Sequence, residues 1–288
     1  MTINPKTVAF QGVPGAYSNL ACREAFPEAE AVPYKTFEAA FEAVKSGEVD
    51  LGMIPIENSL GGRVADIHHL LPQSGLYITG EHFQSVQHML LAPKGATLEG
   101  LKRVYSHEQA LAQCRDVIRE LGIEAVVAAD TAGSAQEIAE RNNPEEAAIA
   151  SSLAAEIYGL TPLRSRIEDR IGNTTRFVFM SRQRMDCPPG VAALTSLVFQ
   201  VRSVPAALYK ALGGFATNGI NVVKLESYIT DMSFTVAQFY AEIEGHPADL
   251  DVDRALEELR YFSSTVRELG VYEAHSFRNL KPRQSWPR

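Results

Sequence analysis

Only three cysteines, Cys22, Cys114 and Cys187, occur among the 288 residues. They are too few and too scattered for a disulfide framework and read as reduced thiols of a cytoplasmic protein. No apolar run approaches the ~18 residues of a membrane span. The N-terminal MTINPKTVAFQGVPG has no basic segment leading into an apolar one, so no secretory signal is expected. Basic residues are outnumbered, 27 Lys and Arg against 35 Asp and Glu, for a net charge of −8. That balance argues against a general nucleic-acid binder, which needs a basic face. A small anion is not excluded, because distant charge is screened over ~8–10 Å while local donors act at contact. Signature motifs are also missing. No GxGxxG, P-loop or GxSxG stands in a proper context, which removes the usual support for dinucleotide, NTP and α/β-hydrolase chemistry. The histidines show neither HExxH nor i, i+4 spacing, and no carboxylate cluster completes a set, so neither metal nor cofactor is expected.

What is present is an ordinary globular composition, 45% hydrophobic and 22% charged, long enough for two domains. Up to about residue 180, short apolar runs (KTVAF, LGMIPI, HMLLAP, KRVYS, EAVVAA, EAAIAS) alternate with helical patterns. The helices are SNLACREAF, FEAAFEAVKSGEVD, HEQALAQCRDVIREL, SAQEIAERN and SLAAEIYGL. Such alternation predicts an α/β fold with a largely parallel sheet. SRQRMDCPPGVAA then breaks the pattern and reads as a linker. Beyond it, TSLVFQVR, PAALYKALGGFATNG, INVVKLESYIT, SFTVAQFYAEIEG, DVDRALEELRYFSSTV and GVYEA give the ferredoxin-like order βαββαβ. Leu256, Leu259 and Val266 mark the buried stripe of its second helix. The expected organisation is a catalytic domain over 5–182, a linker over 183–193, a second domain over 194–275 and a flexible tail over 276–288.

Four stretches of the first domain share one grammar of strand, short polar loop and helix start: FQGVPGAYSN, PIENSLGGR, VYSHEQ and ADTAGS. Helix starts present unpaired N–H groups, and such loops gather at the carboxyl ends of strands in open α/β sheets. Two readings stand. Ser18, Ser59 and Ser134 are helix caps worth ~1 kcal/mol each, or the loops surround a cleft for a carboxylate-rich molecule. Gly12 and Gly15 read as turn residues. Glu57 and Asn58, following a buried-looking strand, favour a functional role. His107 is either a general acid or a loop residue without a role. In GNTTRFVFM, Thr174, Thr175 and Arg176 either start a strand or place a proton donor and an anion clamp on a rigid edge.

Taken in order, GVPGAYSNLA, PIENSLGG, YSHEQALAQC, ADTAGSA and NTTRFVFM resemble the prephenate dehydratase family, and the likeness runs from about residue 6 to 275. The resemblance implies a two-lobed catalytic domain similar to type II periplasmic binding proteins, followed by an ACT regulatory domain. Because the chain starts directly at the dehydratase, it looks monofunctional. The implied substrate is prephenate, which loses carbon dioxide and hydroxide to give phenylpyruvate without a cofactor. Thr175 matches the family's catalytic threonine, and Arg176 is expected to hold a substrate carboxylate. Glu57 is either protonated, paired with a cation or turned away, and His107 is an alternative proton source. Ser18, Asn58, Ser59, Ser106, Thr174 and Phe177 are the expected substrate contacts.

In the second domain, Ala206, Ala207, Leu208, Gly219, Ile220, Asn221, Glu226 and Ser227 fall where the family binds L-phenylalanine at a dimer interface. This chain has Ala206 where the family usually has glycine, and Tyr228-Ile229 where it usually has Arg-Pro. Feedback regulation by phenylalanine and a homodimer or homotetramer are expected, with neither nucleic acid nor membrane as partner. Two rivals remain at this stage: an arogenate dehydratase, and a non-catalytic anion-binding module.

Overall fold

In the computed structural model, residues 4–185, 187–202, 204–229 and 237–280 are described. The chain opens with β1 (Thr7–Gln11), α1 (Tyr17–Ala25), β2 (Glu30–Tyr34), α2 (Phe37–Ser46) and β3 (Leu51–Asn58). There follow a short β4 (Gly62–Arg63), α3 (Ala65–Leu70) and β5 (Tyr77–Ser85). The chain then crosses to a second lobe, made of β6 (Met89–Ala92), β7 (Arg103–His107), α4 (Glu108–Gln113), α5 (Arg115–Leu121), β8 (Glu124–Ala128), α6 (Thr131–Arg141), β9 (Glu146–Ala150), α7 (Ser152–Tyr158) and β10 (Thr161–Ser165). It returns through β11 (Thr174–Ser181) to the first lobe.

Both lobes obey one strand order. The first sheet runs β2-β1-β3-β11-β5 and the second, read from its far edge, β8-β7-β9-β6-β10. In each, three strands are parallel, and the fourth arrives from the other lobe and lies antiparallel to both neighbours. The exchanged strands create two crossings, at 86–88 and 166–173, and the cleft opens beside them. The two-lobed α/β expectation is met. Strands β2, β5 and β10 are additions to the sequence reading; β2 and β10 each carry a proline, which edge strands tolerate.

The predicted helix over 107–121 is broken at Cys114, whose backbone leaves the helical region (φ −125°, ψ 30°). The Asp169 carboxylate accepts from the N–H groups of Arg115 and Asp116 (3.0 and 3.1 Å), which stabilises a fresh helix start there. All three cysteines are free and buried.

The C-terminal unit is β12 (Ala193–Val201), α8 (Ala207–Thr217), β13 (Val222–Ile229), β14 (Ala237–Glu244), α9 (Leu250–Phe262) and β15 (Ser263–Glu273), with sheet order β13-β14-β12-β15. Its order is βαββαβ. The second helix ends at Phe262, so Val266 belongs not to its stripe but to β15, opposite Phe199. Ser-Ser-Thr-Val favours a strand there, since β-branched side chains are stiff in helices.

This unit is not a separate bead. Ile54, Ile56, Val178 and Met180 of the first lobe share one core with Leu194, Val198, Tyr240, Leu269 and Tyr272. At Gly270 the approach is so close that a methyl group would stand 1.9 Å from the Ile78 carbonyl oxygen. The supposed free tail is also pinned at its start, where Arg278, in a 3₁₀ turn (Ser276–Arg278), lies 2.7 Å from Glu81 Oε1. Residues 281–288 of that tail lie outside the described residues.

Candidate active site

The four loops singled out by sequence meet at one cleft of about 280 Å³. Its walls include Tyr17, Asn58, His107, Gln109, Asp130 and Thr131, with Val86 and His88 from the first crossing, Asn173 from the second and Thr175 from β11. The capping reading fails for all three serines. Thr36, His107, Asp130 and Ser151 cap helices, whereas Ser18, Ser59 and Ser134 do not occupy cap positions. Gly15 packs against the opposite lobe: its carbonyl accepts from the Ser151 hydroxyl (2.6 Å) and a methyl there would lie 2.9 Å from Ala154 Cα.

Thr175 and Asn58 face each other across β11 and β3. The Asn58 Oδ1 accepts from the N–H groups of Leu60 and Gly61 (3.0 and 2.7 Å), which fixes the orientation of the amide. Its Nδ2 then donates to Thr175 Oγ1 (2.9 Å) and Asn173 Oδ1 (2.7 Å). Because the threonine oxygen accepts, its own proton is left for a group in the cleft.

The chain of contacts continues to the other lobe. Asn173 Nδ2 donates to Gln113 Oε1 (2.9 Å), which lies 3.0 Å from His88 Nε2. His88 Nδ1 lies 2.9 Å from the Tyr17 hydroxyl, which also donates to the Gln87 carbonyl at 2.8 Å. Burial pushes the His88 pKa down against the Gln113 bond and the Glu168 charge, so the ring is neutral at pH 7. Burial likewise raises the Tyr17 phenol, which remains protonated. Tyr17, His88, Gln113 and Asn173 were missed by sequence reasoning; only the position of Asn173 beside NTTRF offered a signal.

Several expected contacts lie elsewhere. Arg176, only 2% exposed, turns away from the cleft. Its guanidinium bonds Glu81 (2.7 Å), Glu57 (3.0 Å), Glu242 (2.7 Å) and the Tyr272 hydroxyl (3.1 Å). It therefore has no free face for a substrate carboxylate. Alternation along a strand is the reason: adjacent side chains leave on opposite faces. Glu57 shares the Arg176 side and pairs with Lys224 at 2.7 Å. Burial acts to raise its pKa, but Lys224 and Arg176 prevail and hold it below the ordinary carboxylate value. Of the readings considered for Glu57, two are met together: it pairs with cations and is turned away from the cleft.

Phe177 is a core residue, 1% exposed, among Phe10, Met53 and Cys22. Ser106 is fully buried and donates to the Ile149 carbonyl (2.6 Å), so it is committed to the sheet. Ser59 and Thr174 hold the end of β3 against the start of β11, the Thr174 N–H donating to Ser59 Oγ (3.0 Å). Ser18 sits in the first turn of α1, outside the cleft lining. His107 does line the cleft, and its ring accepts from the Gln109 N–H (3.2 Å). An adjoining hollow, sharing Gln109 and Gln113, adds Arg115 and Arg170, both exposed and without an ion pair among the described residues.

The positions expected to hold an effector do not converge within one chain. Ala206–Leu208 and Gly219–Asn221 lie at opposite ends of α8, whose 11 residues span roughly 16 Å at ~1.5 Å each. Ala207 and Ile220 are buried, while Gly219 and Asn221 border a small cavity with Glu244 and Asp249. Glu226 is tied to Arg63 and Lys224, and Ser227 is exposed on β13. Ala206 itself is left-handed (φ 59°, ψ 26°), a conformation that favours glycine.

The family model for prephenate dehydratase matches residues 8–185. A protein of Komagataeibacter europaeus described as a bifunctional N-acyl-homoserine lactone acylase/prephenate dehydratase is 50% identical over 274 residues, 95% of this chain and 98% of its own. An Arabidopsis thaliana chloroplastic arogenate dehydratase/prephenate dehydratase is 42% identical over 276 residues, covering 92% of this chain and 72% of that protein. Among solved structures, prephenate dehydratase from Arthrobacter aurescens in complex with L-Phe superposes with a TM-score of 0.87 at 32% identity, over 98% of this chain and 93% of that one. GqqA, described as a quorum-quenching acylase, gives 0.90 at 50% identity, over 94% of this chain and 99% of its own.

Proposed function

The chain belongs to the prephenate dehydratase family, a family of lyases, and we propose that it converts prephenate to phenylpyruvate, water and carbon dioxide. One observation carries the reading. Thr175 stands in the cleft with its oxygen already occupied by Asn58, so its hydroxyl proton is free for the leaving hydroxyl. As the carboxylate carbon departs as carbon dioxide, its bonding pair enters the ring and the ring hydroxyl leaves. One proton is taken up to make water, and the ring becomes aromatic. A neutral alcohol is a weak acid, so Thr175 serves as a preorganised hydrogen-bond donor. His107, which borders the same cleft from the second lobe, is the candidate source of the net proton.

With Arg176 engaged elsewhere, Arg115 and Arg170 are the cations placed to meet the substrate's carboxylates. Incubation with prephenate, followed by ultraviolet detection of phenylpyruvate in alkali, tests the reading; no product at any substrate concentration would sink it. Parallel kinetics with arogenate decide the substrate preference. The C-terminal unit acts as an ACT domain binding L-phenylalanine between copies of a cytoplasmic homodimer or homotetramer. Titrating phenylalanine against activity and sedimentation tests this.

A second reading, hydrolysis of N-acyl-homoserine lactones, is favoured by the 50% identity to a protein named for both activities. Against it, no serine hydroxyl or cysteine thiol bonds a histidine ring among the described residues, and burial raises the Cys22 thiol to about 12. Release of fatty acid from an acyl-homoserine lactone by the purified chain decides between one activity and two.

A further inference from the structure

Thr175 and Arg176 are consecutive on β11, and their register partners Asn58 and Glu57 are consecutive on β3. The register between the two strands shifts immediately beyond this pair, between Arg176 and Phe177. Such an irregularity re-aims side chains locally. One couplet, Thr175–Asn58, opens on the cleft. The other, Arg176–Glu57, closes on the C-terminal unit.

The second couplet is held by charges from outside the first lobe. Glu242 of β14 lies 2.7 Å from Arg176, and Lys224 of β13 lies 2.7 Å from Glu57. The Tyr272 hydroxyl of β15 accepts from Arg176 at 3.1 Å and sits 3.1 Å from Ser196 Oγ. Tyr240 donates to the other Glu242 oxygen. From the first lobe, Glu81 meets Arg176 at 2.7 Å while also holding Arg278. Arg176, Glu81 and Glu242 have side chains at most 3% exposed. An apolar contact would serve adhesion as well or better, because desolvating charges is costly. What a buried, directional cluster adds is a fixed position for each member.

We propose that Arg176 is a positioning residue for Thr175, and that Lys224, Glu242 and Tyr272 of the C-terminal unit set where it stands. A displacement of that unit would pull Arg176 and Glu57 together, and with them the one-residue-distant pair Thr175–Asn58. The placement of the hydrogen-bond donor would then depend on how the C-terminal unit is seated, while the cleft walls stayed in place. This rests on the reading of Thr175 as the hydrogen-bond donor to substrate.

The experiment uses the full chain and compares wild type, Lys224→Met, Lys224→Arg and Tyr272→Phe by steady-state kinetics with prephenate, normalised to folded enzyme by thermal unfolding. The expected result is a fall in kcat of about tenfold for Lys224→Met with KM within about twofold, and partial recovery in Lys224→Arg. Tyr272→Phe removes a single hydroxyl and covers the case in which Lys224→Met does not fold. Combining Tyr272→Phe with Thr175→Ser tests coupling directly: the joint effect on kcat should depart at least threefold from the product of the single effects. Multiplicative effects, or a kcat per folded molecule equal to wild type in the charge variants, would overturn the proposal. Failure of the underlying reading looks different, since wild type would then form no phenylpyruvate or Thr175→Ala would keep full activity.

Discussion

The two faces of the β3–β11 pair form an instructive contrast. On one, Thr175 and Asn58 are neutral, half-open to a cleft and joined by neutral hydrogen bonds. On the other, Arg176 and Glu57 are charged and locked into a cluster reaching the C-terminal unit. The residues are neighbours in sequence, yet their chemistry differs because a strand sends successive side chains to opposite faces. A cleft that must accept and release a ligand keeps its donors adaptable, whereas a buried cation needs partners on every side.

The sharpest way to break the contrast is to empty the cleft face. Thr175→Ala should lower kcat by roughly 10²–10³-fold, the range for loss of one preorganised hydrogen-bond donor, with unchanged circular dichroism and melting temperature. Emptying the other face should act on stability first. Arg176→Met leaves buried Glu242 with only the more distant Arg278, which Glu81 already engages, and urea unfolding should show a loss of about 3 kcal/mol. Asn58→Ala is the intermediate case. It frees the threonine hydroxyl to rotate, and kcat should drop about tenfold, the worth of one ~1–1.5 kcal/mol hydrogen bond, with a modest fall in melting temperature from the lost bonds to Leu60, Gly61 and Asn173.

Acid should separate the faces as well. Glu57 and Glu81 are held below the ordinary carboxylate pKa: burial opposes this, but Lys224 and Arg176 prevail at Glu57, and Arg278 and Arg176 at Glu81. Their stabilisation is present above the unfolded value of ~4.3 and is lost as pH falls through their lower folded values. Thermal melts should decline below about pH 4, and less steeply in Arg176→Met, where Glu57 keeps only Lys224 and Glu81 only Arg278. The smallest expected effect lies away from both faces. Ala206→Gly relieves a left-handed alanine and should raise stability by about 0.5–1 kcal/mol in urea unfolding, with unchanged basal kcat.

Much of this was legible in the chain. Strand and helix alternation announced an α/β catalytic part, and the βαββαβ order of the C-terminal part followed from period alone. Strand β5, YITGEHFQS, was missed because a mid-strand glycine and polar residues blur its alternation; that glycine, Gly80, lies against the Phe179 ring. The break at Cys114 was invisible because its cause, the Asp169 carboxylate, comes from 55 positions later in the chain.

The candidate site divides the same way. The sequence by itself determined which loops supply polar groups, because strand ends, glycines and capping residues are local signals. It also determined that Thr175 lies at the start of a strand. Which residues look into the cleft was decided by tertiary structure alone. Strand exchange brings Asn173 of the second crossing and Thr175 of β11 beside Asn58, and the seating of the C-terminal unit decides that Arg176 serves an interface. Facing direction depends on what packs against a strand, and for Arg176 the partners Glu57, Glu81 and Glu242 lie 119, 95 and 66 residues away.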